Sequence, residues 1–243
     1  MKYEKRTYRD LIDRGRRSFY RVTVKETDLY VHTEPAMENR VRELVLQYRG
    51  YIESYIFQFP EFARTLSPWH IHGPVPNIIR DMAEAGGKAG VGPMAAVAGA
   101  VAEYAGRDLM KQSREVIVEN GGDIFLKTDA PVTIAIYAGK SPLSLKVGLR
   151  VNAAEKPMGV CTSSGTVGHS LSLGKADAVC AISDSCALAD AAATAIGNHA
   201  RSKGDIQKAI AFGQSIEGLS GLVVIVGDKM GMWGDIEPVP VSG

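Results

Sequence analysis

Apolar and polar positions along the chain change period several times, and the changes outline its elements. Ser18 to His32 alternates in twos, through Phe19, Arg21, Thr23, Leu29 and Val31, which predicts a β-hairpin turning at Glu26-Thr27-Asp28. A period of three and four follows. Val41, Leu44, Val45, Tyr48, Ile52, Tyr55 and Ile56 make one stripe, so a long amphipathic helix is expected, with Thr33 as its cap, Pro35 in its first turn and Pro60 at its end. Pro76 to Ala85 reads as a short helix stopped by Gly86-Gly87. Pro93 opens a Gly/Ala-rich helix running toward Met110, whose small side chains imply close backbone packing.

Short β-branched runs come next. Glu115–Glu119, Asp123–Lys127 and Val132–Tyr137 are expected strands, as are Leu145–Val151 and Met158–Thr162. Ala187–Ile196 is an Ala-rich helix with Asp184 or Ser185 at its cap, and Ile206–Phe212 is another helix. Leu222–Val226 is uninterruptedly apolar, the pattern of a strand covered on both faces. Without repeats or a Pro/Ser-rich linker, the order of elements predicts one α+β or layered α/β domain over residues 1–243.

Composition narrows the function. The 243 residues are 45% hydrophobic and 23% charged, with a net charge of +1, so disorder and a global pull toward nucleic acid or anionic lipid are both excluded. The three cysteines do not form a disulfide framework. With no apolar stretch of membrane-spanning length and no leader-like N-terminus, a cytoplasmic location away from membranes is expected.

Three segments carry candidate chemistry. In Cys186-Ala-Leu-Ala-Asp190-Ala-Ala-Ala-Thr194, Asp190 and Thr194 share a helical face with no cation one turn away. If that face is packed, the carboxylate needs a compensating charge, and a hard divalent ion would supply it; a solvent-facing or Arg-paired aspartate is the alternative. Asn120-Gly121-Gly122-Asp123 joins two apolar runs as a hairpin turn centred on Asn-Gly, either a plain turn or one whose glycines let backbone N–H groups approach a phosphate. Thr162-Ser163-Ser164-Gly165 closes a strand and leads to His169, as a polar loop or a phosphate-holding one.

Other features point to structure. Gly90-Val91-Gly92 fits a dinucleotide glycine pattern but lacks a preceding strand, so close packing is the better reading. His70 and His72 have no third metal ligand in sight, and Arg14-Gly15-Arg16-Arg17 reads as a solvated basic cluster. Cys186 sits where a helix dipole can lower a thiol pKa, although a buried inert thiol is the plainer expectation.

Taken together, the segments resemble the ApbE-like flavin transferases, whose T-fold-related architecture implies an α+β domain with a mixed, mainly antiparallel sheet and packed helices. That family has Asn-Leu-Gly-Gly-Asp-Ile after a small-residue helix, then Thr-Ser-Gly at a strand end, then Ala-Asp-Ala-Leu-Ala-Thr-Ala on a helix. The counterparts here are Asn120-Gly121-Gly122-Asp123-Ile124, Thr162-Ser163-Ser164-Gly165 and Ala189-Asp190-Ala191-Ala192-Ala193-Thr194-Ala195, in the same order over about residues 85 to 197. The resemblance implies binding of FAD and Mg²⁺ and transfer of FMN to a Thr or Ser of an acceptor protein, with release of AMP. By position, Asp190, Thr194 and the Ala193 carbonyl would hold the metal. Asn120 to Asp123 and Thr162 to Gly165 would line the flavin nucleotide site, and His169 would serve as acid/base or phosphate contact. The family's Ala-Lys-Gly-Tyr-Ala stretch reads Val91-Gly92-Pro93-Met94-Ala95 here, without the lysine, and only His169 stands near its His-x-x-Asp-Pro segment. The chain resembles the small cytoplasmic branch of the superfamily, some members of which are linked to sulfide assimilation and homocysteine formation. A non-transferase accessory role in that chemistry is therefore the alternative, and a homo-oligomer built on the Gly/Ala helices is a further expectation.

Overall fold

A computed structural model describes residues 17–165 and 174–241. An eight-stranded sheet forms its middle layer. Its strands are β1 (Tyr20–Val24), β2 (Thr27–Thr33), β3 (Val116–Asn120), β4 (Asp123–Lys127), β7 (Met158–Ser163), β8 (Ala178–Ser183), β9 (Leu219–Val226) and β10 (Lys229–Gly234), neighbours in that order and all antiparallel. A smaller antiparallel sheet contains β5 (Val132–Ala135), β6 (Val147–Val151) and β11 (Glu237–Pro240), with β6 in the centre. The helices are α1 (Glu38–Gln58), α2 (Asn77–Ala89), α3 (Val97–Leu109), α4 (Cys186–Asn198) and α5 (Ile206–Gln214).

Period-two alternation divides the large sheet between two cores. Val31, Val118, Phe125, Val179, Ala181 and Val224 join the helices in one apolar cluster. Ile117, Ile124, Leu126, Cys180, Ile182 and Ile225 point the other way and pack with Ile134 and Leu149 of the small sheet and with Ile136 just beyond β5. The result is three layers, helices over large sheet over small sheet, as expected of an α+β chain with mainly antiparallel pairing. No described helix is long and apolar enough to cross a membrane.

Several boundaries differ from those the sequence suggests. The first hairpin turns one residue earlier, at Lys25-Glu26, because Val24 pairs with Thr27; Thr27 and Asp28 are buried in β2. Thr33 ends β2 rather than capping a helix: its hydroxyl donates to the Pro35 carbonyl, and α1 begins at Glu38. Helix α2 runs through Gly86-Gly87 and stops at Gly90, whose φ of 72° suits a left-handed cap. Gly86 is a packing residue, since a Cβ there would lie 2.8 Å from the Val91 carbonyl oxygen. Strands β8, β10 and β11 lie where the sequence reading placed no strand.

Candidate functional site

The candidate segments meet at one end of the large sheet. The β3–β4 turn is centred on Gly121 and Gly122, with φ of 71° and 111°, and Asn120 pairs with Asp123 as the last strand residue. The turn thus sits one residue later than an Asn-Gly centre would place it, which frees the Asn120 side chain to donate to the Ala98 carbonyl at 3.0 Å. On the other side of the turn, the Gly122 carbonyl accepts from the Thr162 amide at 3.1 Å. Thr162 and Ser163 end β7, and Ser163 Oγ accepts from Thr194 Oγ1 at 3.5 Å. Gly165 is held by its amide on the Ala176 carbonyl. His169 lies outside the described residues.

Asp190 and Thr194 share one face of α4, as their spacing requires, and both are buried. Asp190 Oδ2 accepts from the Gly99 amide at 2.9 Å, and the Ala98 amide also bonds the carboxylate. These amides belong to the first turn of α3, where N–H groups have no partner in their own helix and the dipole end is positive. The carboxylate therefore faces neither solvent nor a guanidinium; it caps another helix. Burial outweighs those two bonds and pushes the Asp190 carboxyl up to about 7. The approach is close because Gly99 has no side chain: a Cβ would lie 2.3 Å from the Cys186 carbonyl oxygen and 2.8 Å from Asp190 Cβ.

A second carboxylate mirrors this arrangement. Glu103 of α3 is 4% exposed, and its Oε2 accepts from the Cys186 and Ala187 amides at 2.7 and 3.2 Å and from Ser185 Oγ at 3.3 Å. Ser185 also caps α4 through the Leu188 amide. Helices α3 and α4 thus cap each other. Nothing in the local sequence announces this, because each carboxylate and its amides are more than 80 residues apart. Buried Glu119, which accepts from the Gly122 amide at 3.0 Å, is a further residue that sequence reasoning did not select.

The oxygen-rich donor set suits a hard cation. Asp190 and Thr194 present a carboxylate and a hydroxyl, Ser163 adds a hydroxyl, and none of the ion pairs of the described residues involves Asp190. The Ala193 carbonyl fits less well. It lies in the body of α4, where the hydrogen-bond ladder uses it and directs it along the helix axis. Two surface hollows lie toward the far end of α4. One of about 270 Å³ is lined by Lys88, Ala195, His199 and Phe212 among others, and one of about 410 Å³ by His199, Arg201 and Lys208 among others; Asp190 lines neither.

The three cysteines are free and buried, and Cys161 Sγ lies 3.4 Å from Cys186 Sγ. Burial raises the Cys186 thiol to about 11, overriding the dipole effect that its place in the helix suggests. Gly92 packs against the Thr65 carbonyl, which a Cβ would approach to 1.9 Å, so the Gly90-Val91-Gly92 stretch is a packing motif.

Comparison with known proteins places this geometry. The family described as AbpE bacteria matches residues 9–232. The chain belongs to this family. A UPF0280 protein of Methanococcus aeolicus is 39% identical over 222 residues, covering 89% of this chain and 90% of the relative. One from Methanosarcina acetivorans is 40% identical over 208 residues, covering 85% and 82%. Among solved structures, the apo flavinyl transferase ApbE of Pseudomonas stutzeri superposes with a TM-score of 0.54 at 15% identity, covering 89% of this chain and 94% of that one. The flavin transferase ApbE of Vibrio cholerae gives 0.54 at 10% identity, covering 93% and 97%. The fold is therefore that of the ApbE flavin transferases.

Proposed function

We propose that this chain binds a flavin nucleotide together with Mg²⁺ at the Asp190 end of the large sheet, and that the site supports FMN transfer to a hydroxyl of an acceptor protein. The observation that carries the reading is convergence. Three segments separated by up to about 70 residues meet around one buried carboxylate, on the fold of the flavin transferases.

On this reading Asp190 and Thr194 would hold the metal, with Ser163 beside them. When bound, the ion would offset negative charge on pyrophosphate oxygens. The Gly121-Gly122 turn carries no side chains, so a phosphate can come close to its backbone. Ser163 offers a hydroxyl beside Thr194, with Thr162 and Ser164 its neighbours at the same strand end, and Gly165 lets the chain pack closely on the Gly174 backbone, where a Cβ would lie 2.5 Å from the carbonyl oxygen. His169 is the candidate for the proton or phosphate contact. Transfer would join the acceptor oxygen to the FMN phosphorus as the pyrophosphate bond breaks and AMP leaves.

The test is FAD binding with and without Mg²⁺, comparing wild type with Asp190→Ala and Thr194→Val. Magnesium-dependent binding, weakened at least tenfold in each variant, is expected. Folded wild type that binds no flavin at any Mg²⁺ concentration refutes the reading. One observation favours a second reading, binding without transfer in an accessory role. The segment that carries the family's lysine is Val91-Gly92-Pro93-Met94-Ala95 here, and its Gly92 backbone is packed against Thr65. Mg²⁺-dependent FAD binding with no AMP released, whatever hydroxyl-bearing acceptor is offered, would favour that role.

A further inference from the structure

At the opposite end of β3, about five residues and roughly 17 Å from the Asn120 turn, three donor side chains converge. His32 of β2 is 1% exposed, Glu115 immediately precedes β3, and Glu34 immediately follows β2. One ligand atom from each lies within 4.8 Å of the other two. His32 Nε2 is the only buried side-chain nitrogen or oxygen among the described residues with no hydrogen-bond partner.

The chemistry at His32 is constrained. Its Nδ1 lies 2.9 Å from the Ser18 carbonyl, which only accepts, so Nδ1 carries hydrogen. In the neutral ring Nε2 then presents a lone pair, and it faces Glu115 Oε2 at 3.8 Å. Two lone-pair groups facing each other at that distance leave a place for a cation between them. Donors around a tetrahedral ion with bonds of about 2.0–2.1 Å stand about 3.3–3.4 Å apart, so an inward movement brings these three round one ion and leaves its fourth position to water.

The supports of a metal site are also present. Arg17 grips Glu115 through both oxygens, at 3.0 and 2.8 Å, and the Asp129 amide holds Oε1 at 2.8 Å, which fixes the carboxylate's orientation. Arg17 is thus committed to Glu115 rather than being a solvated basic residue. Ser113 Oγ accepts from the Glu34 amide and donates to the Glu115 carbonyl, tying the two acidic segments together. Phe19 covers the His32 ring at a centroid distance of 5.5 Å, while exposed Glu34 leaves a route to solvent.

We infer that His32 Nε2, Glu34 and Glu115 form a second metal site for a first-row divalent transition ion such as Zn²⁺, separate from the Asp190 site. One imidazole and two carboxylates favour such an ion over Mg²⁺, which prefers oxygen donors alone.

Equilibrium dialysis of the full chain against Zn²⁺, with metal analysis, tests this. Wild type and Asp190→Ala should each hold one zinc that a hundredfold excess of Mg²⁺ does not displace. His32→Gln and Glu34→Gln should each weaken that site at least tenfold. Glu34 is exposed, so its variant keeps the fold and isolates the ligand effect. X-ray absorption of the zinc-loaded protein should show nitrogen and oxygen ligands near 2.0–2.2 Å without sulfur. Absence of tight zinc in wild type, equal binding by Glu34→Gln, displacement by Mg²⁺, loss of the ion in Asp190→Ala, or sulfur in the shell would each overturn the assignment.

Discussion

Replacing Asp190 by Asn isolates the cost of its charge. Asn keeps an oxygen to accept from the Gly99 amide and removes the ionisation. In the folded chain the Asp190 carboxyl titrates at about 7, against an ordinary value of 3.8, because burial disfavours its charged form. The folded state therefore binds more protons than the unfolded state between those values, and stability falls as pH rises through that window. At 1.36 kcal/mol per pH unit, the difference reaches about 4 kcal/mol above pH 7. Urea unfolding from pH 4 to 8 in metal-free buffer should show wild type losing stability relative to Asp190→Asn, with the gap opening above pH 4 and levelling off above pH 7. Adding Mg²⁺ at pH 8 should narrow the gap if the ion binds the carboxylate. Parallel curves for the two proteins across the range would refute the reasoning, because they would mean that the α3 amides alone fully compensate the charge.

Three further outcomes follow from the same packing. Gly99→Ala should destabilise by about 1–3 kcal/mol in denaturant titrations, since the new methyl meets the Cys186 carbonyl and Asp190. Glu103→Ala should cost about 1–3 kcal/mol, because the buried Cys186 and Ala187 amides lose their acceptor; an unchanged midpoint would show that Ser185 suffices as the cap. The three thiols should react with a thiol reagent only at the rate of global unfolding, as burial raises all of them; prompt labelling in native buffer would contradict this.

Where one face of an element meets a core and the other a contrasting environment, the sequence was easy to read. The α1 stripe from Val41 to Tyr55 emerges from period alone, whereas the β3–β4 hairpin, buried on both faces, is legible from its β-branched runs and its Asn-Gly turn. Strand β8 is not, because every residue of Ala178–Ser183 is buried between two cores, and small Ala and Cys side chains give no alternation. Gly86-Gly87 looked like a stop because local chemistry cannot distinguish a cap from a backbone contact made in tertiary structure. At the site, Asp190 stood out as a charge among methyl groups, and its face and burial agree with that. What answers the charge was hidden, because the Ala98 and Gly99 amides are backbone groups more than 90 positions away and carry no side-chain signature.

Helix α4 has twelve of its thirteen residues buried, seven of them alanine or glycine. An axle so tightly sleeved has no slack for rolling or sliding when something arrives beside it. Loading the site should therefore leave the α4 backbone nearly still, with its amides among the slowest to exchange deuterium, and any accommodation must be made by the loops that frame it.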